Sequence, residues 1–119
     1  MKYLLLIYSN EADWANVSEA EQGKIFEAYM EFSRSIYKSK HYLAGEALQP
    51  VATATTVRAR NGKTLATDGP FAETREQLGG FYMIEAKDLD KAIAIAGRIP
   101  SAGFGCVEVR PIMETPPVG

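Results

Sequence analysis

Asp68 stands before Gly69 and Pro70 in the run TDGPFAETREQLGGFYMIE, where Glu73, Arg75, Glu76 and a Gly-Gly pair precede an apolar, aromatic segment. A carboxylate at such a corner can hydrogen-bond backbone amides and simply stabilise the turn. It can also act as a general base, or orient and charge a histidine. The one histidine of the chain is His41, a side chain whose charge ordinarily changes near neutral pH. It follows Lys38 and Lys40 at the end of a helical pattern, where a cation interacts favourably with the helix dipole. Across a pocket from Asp68 it would instead form an acid/base couple, with Asp68 as base or orienter and His41 as proton carrier.

The neighbouring residues also carry two readings. Arg58 and Arg75 offer planar forks for a substrate carboxylate, with Glu73 beside them. Their plainer role is a solvated, partly paired surface. Gly79 and Gly80 mark a bulge or a close backbone approach, an opening through which a ligand could reach the main chain. Tyr82 belongs with these as a substrate contact, although Phe81 and Tyr82 read first as core or dimer interface. Trp14 is either a surface plug or a lid over a neighbouring cavity. Cys106 reads as a small buried hydrophobe.

Several chemistries do not fit. One histidine and one cysteine cannot build a thiolate or multi-histidine zinc site within a chain, and no cofactor is expected. Asn61-Gly62-Lys63-Thr64 ends like a phosphate-binding loop, but the glycine required five residues before Gly62 is Val57. A single cysteine excludes an intrachain disulfide and fits a reducing compartment. The net charge of -2, with both signs interspersed, lacks the basic footprint of a nucleic-acid binder. No stretch approaches the roughly 18 apolar residues of a membrane span, so the expected setting is cytoplasmic.

The elements that must hold these residues follow from periodicity. Lys2 to Tyr8 is a strand apolar on both faces, Tyr3, Leu5 and Ile7 against Leu4, Leu6 and Tyr8. NEADWANV reads as a loop. Ser18 and Glu21 form a capping box that opens a helix running to about Lys40, with Ile25, Tyr29, Phe32 and Ile36 at helical spacing. Leu43 to Leu48 is a short strand, and Asn61-Gly62 turns a hairpin between Thr55–Arg60 and Lys63–Thr67. Gly80 to Ala86 is a strand with Phe81 and Met83 on one face and Tyr82 and Ile84 on the other. Asp88 caps a second helix that puts Leu89, Ala92, Ile93 and Ala96 on one side and ends before Pro100. Cys106 to Ile112 is the last strand, so a single domain over residues 1–113 is followed by a loose tail, 114–119.

Without the hairpin the order is βαββαβ, an α+β, ferredoxin-like split arrangement. Two helices then cover one face of the sheet. The other face, carrying Leu, Phe, Tyr and Met, would be an apolar patch that soluble monomers avoid. A homodimer with the two sheets packed face to face is therefore expected.

Asp68 to Ala86, DGPFAETREQLGGFYMIEA, resembles the signature of the DGPF proteins, a branch of the YCII-related family. The resemblance extends to MKYLLLIY, HYLAGEAL at His41–Leu48, ATTVR at Ala54–Arg58 and IPSAGFGCVEVRPI at Ile99–Ile112. It implies a dimeric ferredoxin-like α/β barrel and a small enzyme with a His-Asp pair as its active site. It also implies a link to sigma-factor systems, beside which some DGPF proteins are encoded. In the YCII branch the histidine lies within the first helix, whereas EAEQGKIFEAYMEF contains none and His41 stands at that helix's far end. The function expected from these residues is cofactor-independent acid/base chemistry on a small molecule; a non-catalytic ligand-binding or regulatory module is the alternative.

Overall fold

The computed structural model describes residues 1–118. Its elements run β1 (Lys2–Ser9), α1 (Glu11–Trp14), α2 (Glu19–Lys38), β2 (Tyr42–Ala47), β3 (Thr55–Arg60), β4 (Lys63–Asp68), β5 (Gln77–Glu85), α3 (Leu89–Ala96) and β6 (Cys106–Pro111). Four strands form one antiparallel sheet in the order β2-β5-β1-β6, while β3 and β4 pair only with each other. Setting that hairpin aside leaves the ferredoxin-like βαββαβ arrangement, with the helices on one face of the sheet.

Alternation decides which side chains meet the helices. Tyr3, Leu5 and Ile7 of β1 are buried with Tyr82 and Ile84 of β5. Against them pack Phe32 and Ile36 of α2 and Ala92, Ile95 and Ala96 of α3. The opposite face carries Leu4 beside Met83 and Leu6 beside Phe81, all only half-buried.

Both ends of α2 are set by local chemistry. Ser18 Oγ accepts the Glu21 amide at 3.2 Å, half of the expected capping box. The Glu21 carboxylate does not reach back but lies 3.5 Å from Lys24 Nζ. At the other end Lys40 adopts a left-handed φ of 66°. The amides of Lys40 and His41 then return to the carbonyls of Tyr37 and Ile36, at 3.1 and 2.9 Å, the double closure of a Schellman motif. His41 thus occupies the stop position of the helix.

Three local expectations are corrected. NEADWANV contains a one-turn helix, because the Asn10 side chain accepts the Ala12 amide and caps it. In α3 the buried side is Ala92, Ile95 and Ala96, while Leu89 and Ile93 are exposed. Two adjacent stripes of this short helix are apolar, so periodicity alone could not choose between them. Cys106 is exposed rather than buried, since it points to the outer face of the sheet.

The β3–β4 hairpin turns at Asn61 and Gly62, both at positive φ, as Asn-Gly predicts. It gives the molecule its outline, extents of 47 × 44 × 21 Å and a radius of gyration of 16.5 Å. A compact chain of this length would be expected at roughly 13.5 Å. Ile112 to Val118 has no regular structure, and Gly119 of the expected tail lies outside the described residues.

Candidate functional site

The structure distributes the expected site residues over three places. Asp68 ends β4 opposite Thr55, at the base of the hairpin. There Gly69 takes a φ of 101°, its amide donates to the Ala54 carbonyl at 2.7 Å, and Thr56 Oγ1 donates to the Gly69 carbonyl. The corner is therefore held by glycine, backbone and a threonine hydroxyl. The Asp68 carboxylate is exposed and has no hydrogen bond or ion pair among the described residues. Arg58 lies out on the same hairpin, and Glu73 and Arg75 are exposed in the segment beyond it.

His41 is elsewhere. Its carbonyl accepts the Glu85 amide at 2.8 Å, and its Nδ1 lies 2.7 Å from Ser39 Oγ, in a shallow depression shared with Met1, Glu85 and Lys87. That is the Tyr42 end of β2, whereas the chain leaves toward Asp68 from the Ala47 end. Six strand residues separate those ends, about 20 Å at the usual rise. Among the described residues no hydrogen bond or ion pair joins His41 to Asp68.

The third group does share a cavity. Gly79, Gly80 and Tyr82 line a cleft of about 1280 Å³ between α2 and the β2 edge of the sheet. Its wall is the α2 face of Phe26, Tyr29, Met30, Ser33 and Tyr37. Tyr42, Gly45 and Ala47 of β2 border it, and Trp14, Ser101 and Phe104 stand at one end. Trp14 thus belongs to a cavity rim. The surface is largely apolar, with Glu19, Arg34 and Glu46 as its charged members.

Glycines make the floor. The β1–β5 register slips between Ile7 and Tyr8, which pair with Gly80 and Leu78, so Gly79 is the extra residue of a bulge. A Cβ on Gly80 would stand 2.9 Å from the Glu46 carbonyl, so the strands there close only around glycine. A Cβ on Gly45 would stand 2.7 Å from Tyr82 Cδ1, so that glycine lets the Tyr82 ring lie against β2. The ring is braced edge-on by Phe32 at 5.1 Å and by Tyr42 at 6.4 Å between centroids.

Two hydroxyl pairs supply the polar chemistry. Tyr82 Oη and Ser33 Oγ are 2.7 Å apart, and Tyr29 Oη and Ser101 Oγ are 2.5 Å apart. Burial pushes both phenols above their ordinary pKa, so at neutral pH they are protonated donors and not bases. Such donors suit a carbonyl or a developing oxyanion. Of the two carboxylates in the lining, Glu46 stands opposite Phe81 and so on the outer side of the sheet, which leaves Glu19 at the start of α2 on the helix side. Among the described residues no group of three or more His, Cys, Asp or Glu side chains could hold a metal ion. No helix is long and apolar enough to cross a membrane.

Ser33, Ser101, Gly45 and Tyr29 were not on the expected list. Their partners are remote in sequence, and only Gly45, a glycine inside a strand, carried a local signal. Outside the cleft, Cys106 Sγ lies 3.7 Å from Glu76 Oε1, and its thiol is pushed up in pKa first by burial and then by that carboxylate. It is no activated nucleophile.

Comparison with known proteins adds three similarities. Residues 1–116 match the model of the YCII-related domain. An uncharacterised protein of Rhizobium meliloti (strain 1021) is 34% identical over 114 residues, 94% of this chain and 92% of the relative. Among solved structures, 5-chloro-2-hydroxyhydroquinone dehydrochlorinase (TftG) of Burkholderia phenoliruptrix AC1100, in complex with 2,5-dihydroxybenzoquinone, aligns with a TM-score of 0.51. It is 15% identical, with 97% of this chain and 96% of that one covered, a likeness of fold.

Proposed function

The chain belongs to the YCII-related family, and we propose that it is a cytoplasmic, cofactor-independent enzyme whose small-molecule site is the cleft between α2 and the β2 edge. One observation carries the reading: two hydrogen-bonded hydroxyl pairs, Tyr82–Ser33 and Tyr29–Ser101, border a cavity that is otherwise mostly apolar. Apolar clefts with a few convergent polar groups are the usual form of small-molecule sites. The ligand class that fits is a small oxygenated ring, its body against Tyr42, Tyr82 and Phe26 and its oxygen on the phenol donors. Tyr82 holds the charge that develops on the ligand oxygen in this reading, and Glu19 is the one carboxylate of the lining on the helix side. TftG, which shares the fold, acts on a hydroxylated ring; that supports the class by analogy of fold alone.

The site works in a pair of chains stacked on the outer face of the sheet. Leu4, Leu6, Phe81 and Met83, left half-buried there, are the support for that assembly.

A thermal-shift and calorimetric screen of hydroxylated and quinonoid ring compounds tests the site. A compound that binds wild type should bind Tyr82→Phe roughly tenfold more weakly, the worth of one hydrogen bond, and Asp68→Asn unchanged. Binding lost in Asp68→Asn but kept in Tyr82→Phe would move the site to the Asp-Gly-Pro corner. Binding without turnover at any pH would make the protein a ligand-binding module.

A further inference from the structure

Among the described residues, Arg34 is the one cation of the cleft lining. It stands on α2 directly after Ser33, whose Oγ is half of the Tyr82–Ser33 pair. Successive helix residues are turned about 100° from one another, so the two side chains sit side by side around the helix. Ser33 is half-buried and Arg34 exposed, which puts the hydroxyl pair inside and the guanidinium at the mouth. Glu31 and Lys38 stand one turn to either side on α2, yet Arg34 forms no ion pair among the described residues. Arg98, by contrast, is committed elsewhere. It donates to Ser35 Oγ and lies 5.5 Å over the Phe32 ring.

The surface beside Arg34 suits a flat ligand. Tyr37, Tyr42 and Tyr82 follow one another along this part of the cleft, with ring centroids 5.9 Å and 6.4 Å apart. A ring laid on that row with an oxygen on Tyr82 has its far edge at the mouth, beside the guanidinium. The planar fork of an arginine matches a carboxylate there through two parallel hydrogen bonds. At the mouth the carboxylate keeps part of its hydration, so the cost of burying a charge does not cancel the attraction. Glu19 does not oppose it. That carboxylate stands at the opposite end of α2, about 22 Å away at the usual helical rise. The screening length at physiological salt is only about 8 Å.

We propose that the cleft selects rings that carry a carboxylate, and that Arg34 is the residue that recognises it. The ligand class narrows from an oxygenated ring to a hydroxylated ring acid, with its ring oxygen on the Tyr82–Ser33 pair and its carboxylate on Arg34. The fork expected of Arg58 or Arg75 is thus supplied by α2. Those two lie on the hairpin and in the segment after it, outside the cleft lining. The inference rests on the cleft reading proposed above and adds the group that the ligand must carry.

Calorimetric titration with the positional isomers of hydroxybenzoate and the matching hydroxybenzamides tests it. Each acid and its amide share ring, hydroxyl and shape, and differ in charge. Wild type should bind at least one acid about tenfold more tightly than its amide, the lower end of the worth of a hydrogen bond to a charged group. The difference should shrink as salt is raised. Arg34→Gln should abolish the preference and leave amide binding unchanged, with the melting temperature little altered because the side chain is exposed. Arg34→Lys, which keeps the charge and loses the fork, should retain only part of the preference. Amides that bind wild type as tightly as the acids overturn the role of Arg34, as does a preference that survives in Arg34→Gln. Weaker binding of the same rings to Tyr82→Phe would then show the cleft reading still standing. Failure of every acid and every amide to bind overturns both together.

Discussion

At the residue scale, protonation of the two phenols has a consequence for stability. Tyr82 and Tyr29 are raised above 10.0 in the folded protein, by burial in both cases. A group with a raised folded pKa contributes stability that is fully present below its unfolded pKa and is lost as pH climbs through the folded value. Resistance to denaturant should therefore be unaffected by these groups through neutral pH and should fall once pH passes about 10. Tyr82→Phe should fall less steeply in that range, which urea titrations at several alkaline pH values would measure. An identical alkaline slope in the variant would remove the phenol from this account. The glycine of the floor was legible in the sequence, since Gly79-Gly80 in a strand implies a bulge or a close approach and the structure has both. Ser33 and Ser101 were not legible, because the hydroxyls become a site only once Tyr82 and Tyr29, 49 and 72 residues away, are folded against them.

Elements were more readable than contacts, because their signals are local. The Asn-Gly turn and the two faces of β1 and β5 each depend on neighbours within a few residues and formed as expected, while of the capping box of α2 only the Ser18 half formed. His41 shows the limit of such reading. Its place after a helix suggested either a dipole contact or a proton carrier, and the backbone gives it a third role, the amide that closes the helix on Ile36. The residue before it, Lys40, takes a left-handed φ that costs a side-chain-bearing residue roughly 1–2 kcal/mol. Lys40→Gly should relieve that strain, less the extra chain entropy glycine loses, for a net gain of about 0.5–1 kcal/mol. Chemical denaturation should show a raised midpoint with an unchanged slope. Gly80→Ala should act in the opposite direction, since its Cβ would press on the Glu46 carbonyl and part β2 from β5.

At the scale of the whole molecule, the sheet has one face filled by helices and another that the chain leaves uncovered. Strict alternation cannot be the reason for that second face, because β1 and β5 place apolar side chains on both sides. Leu6 pairs across from Phe81, and Leu4 from Met83, in the middle of the sheet where solvent would be least tolerated. A second copy stacked there would bury this patch. Leu6→Glu, pointing to the outer face, should then disperse the dimer at micromolar concentration while circular dichroism stays that of the folded protomer. If Leu6→Glu instead unfolds the protomer, Leu4→Lys at the end nearer the chain terminus asks the same question with less disruption of the central pair. A variant that remains fully paired would mean that the outer face is not the contact.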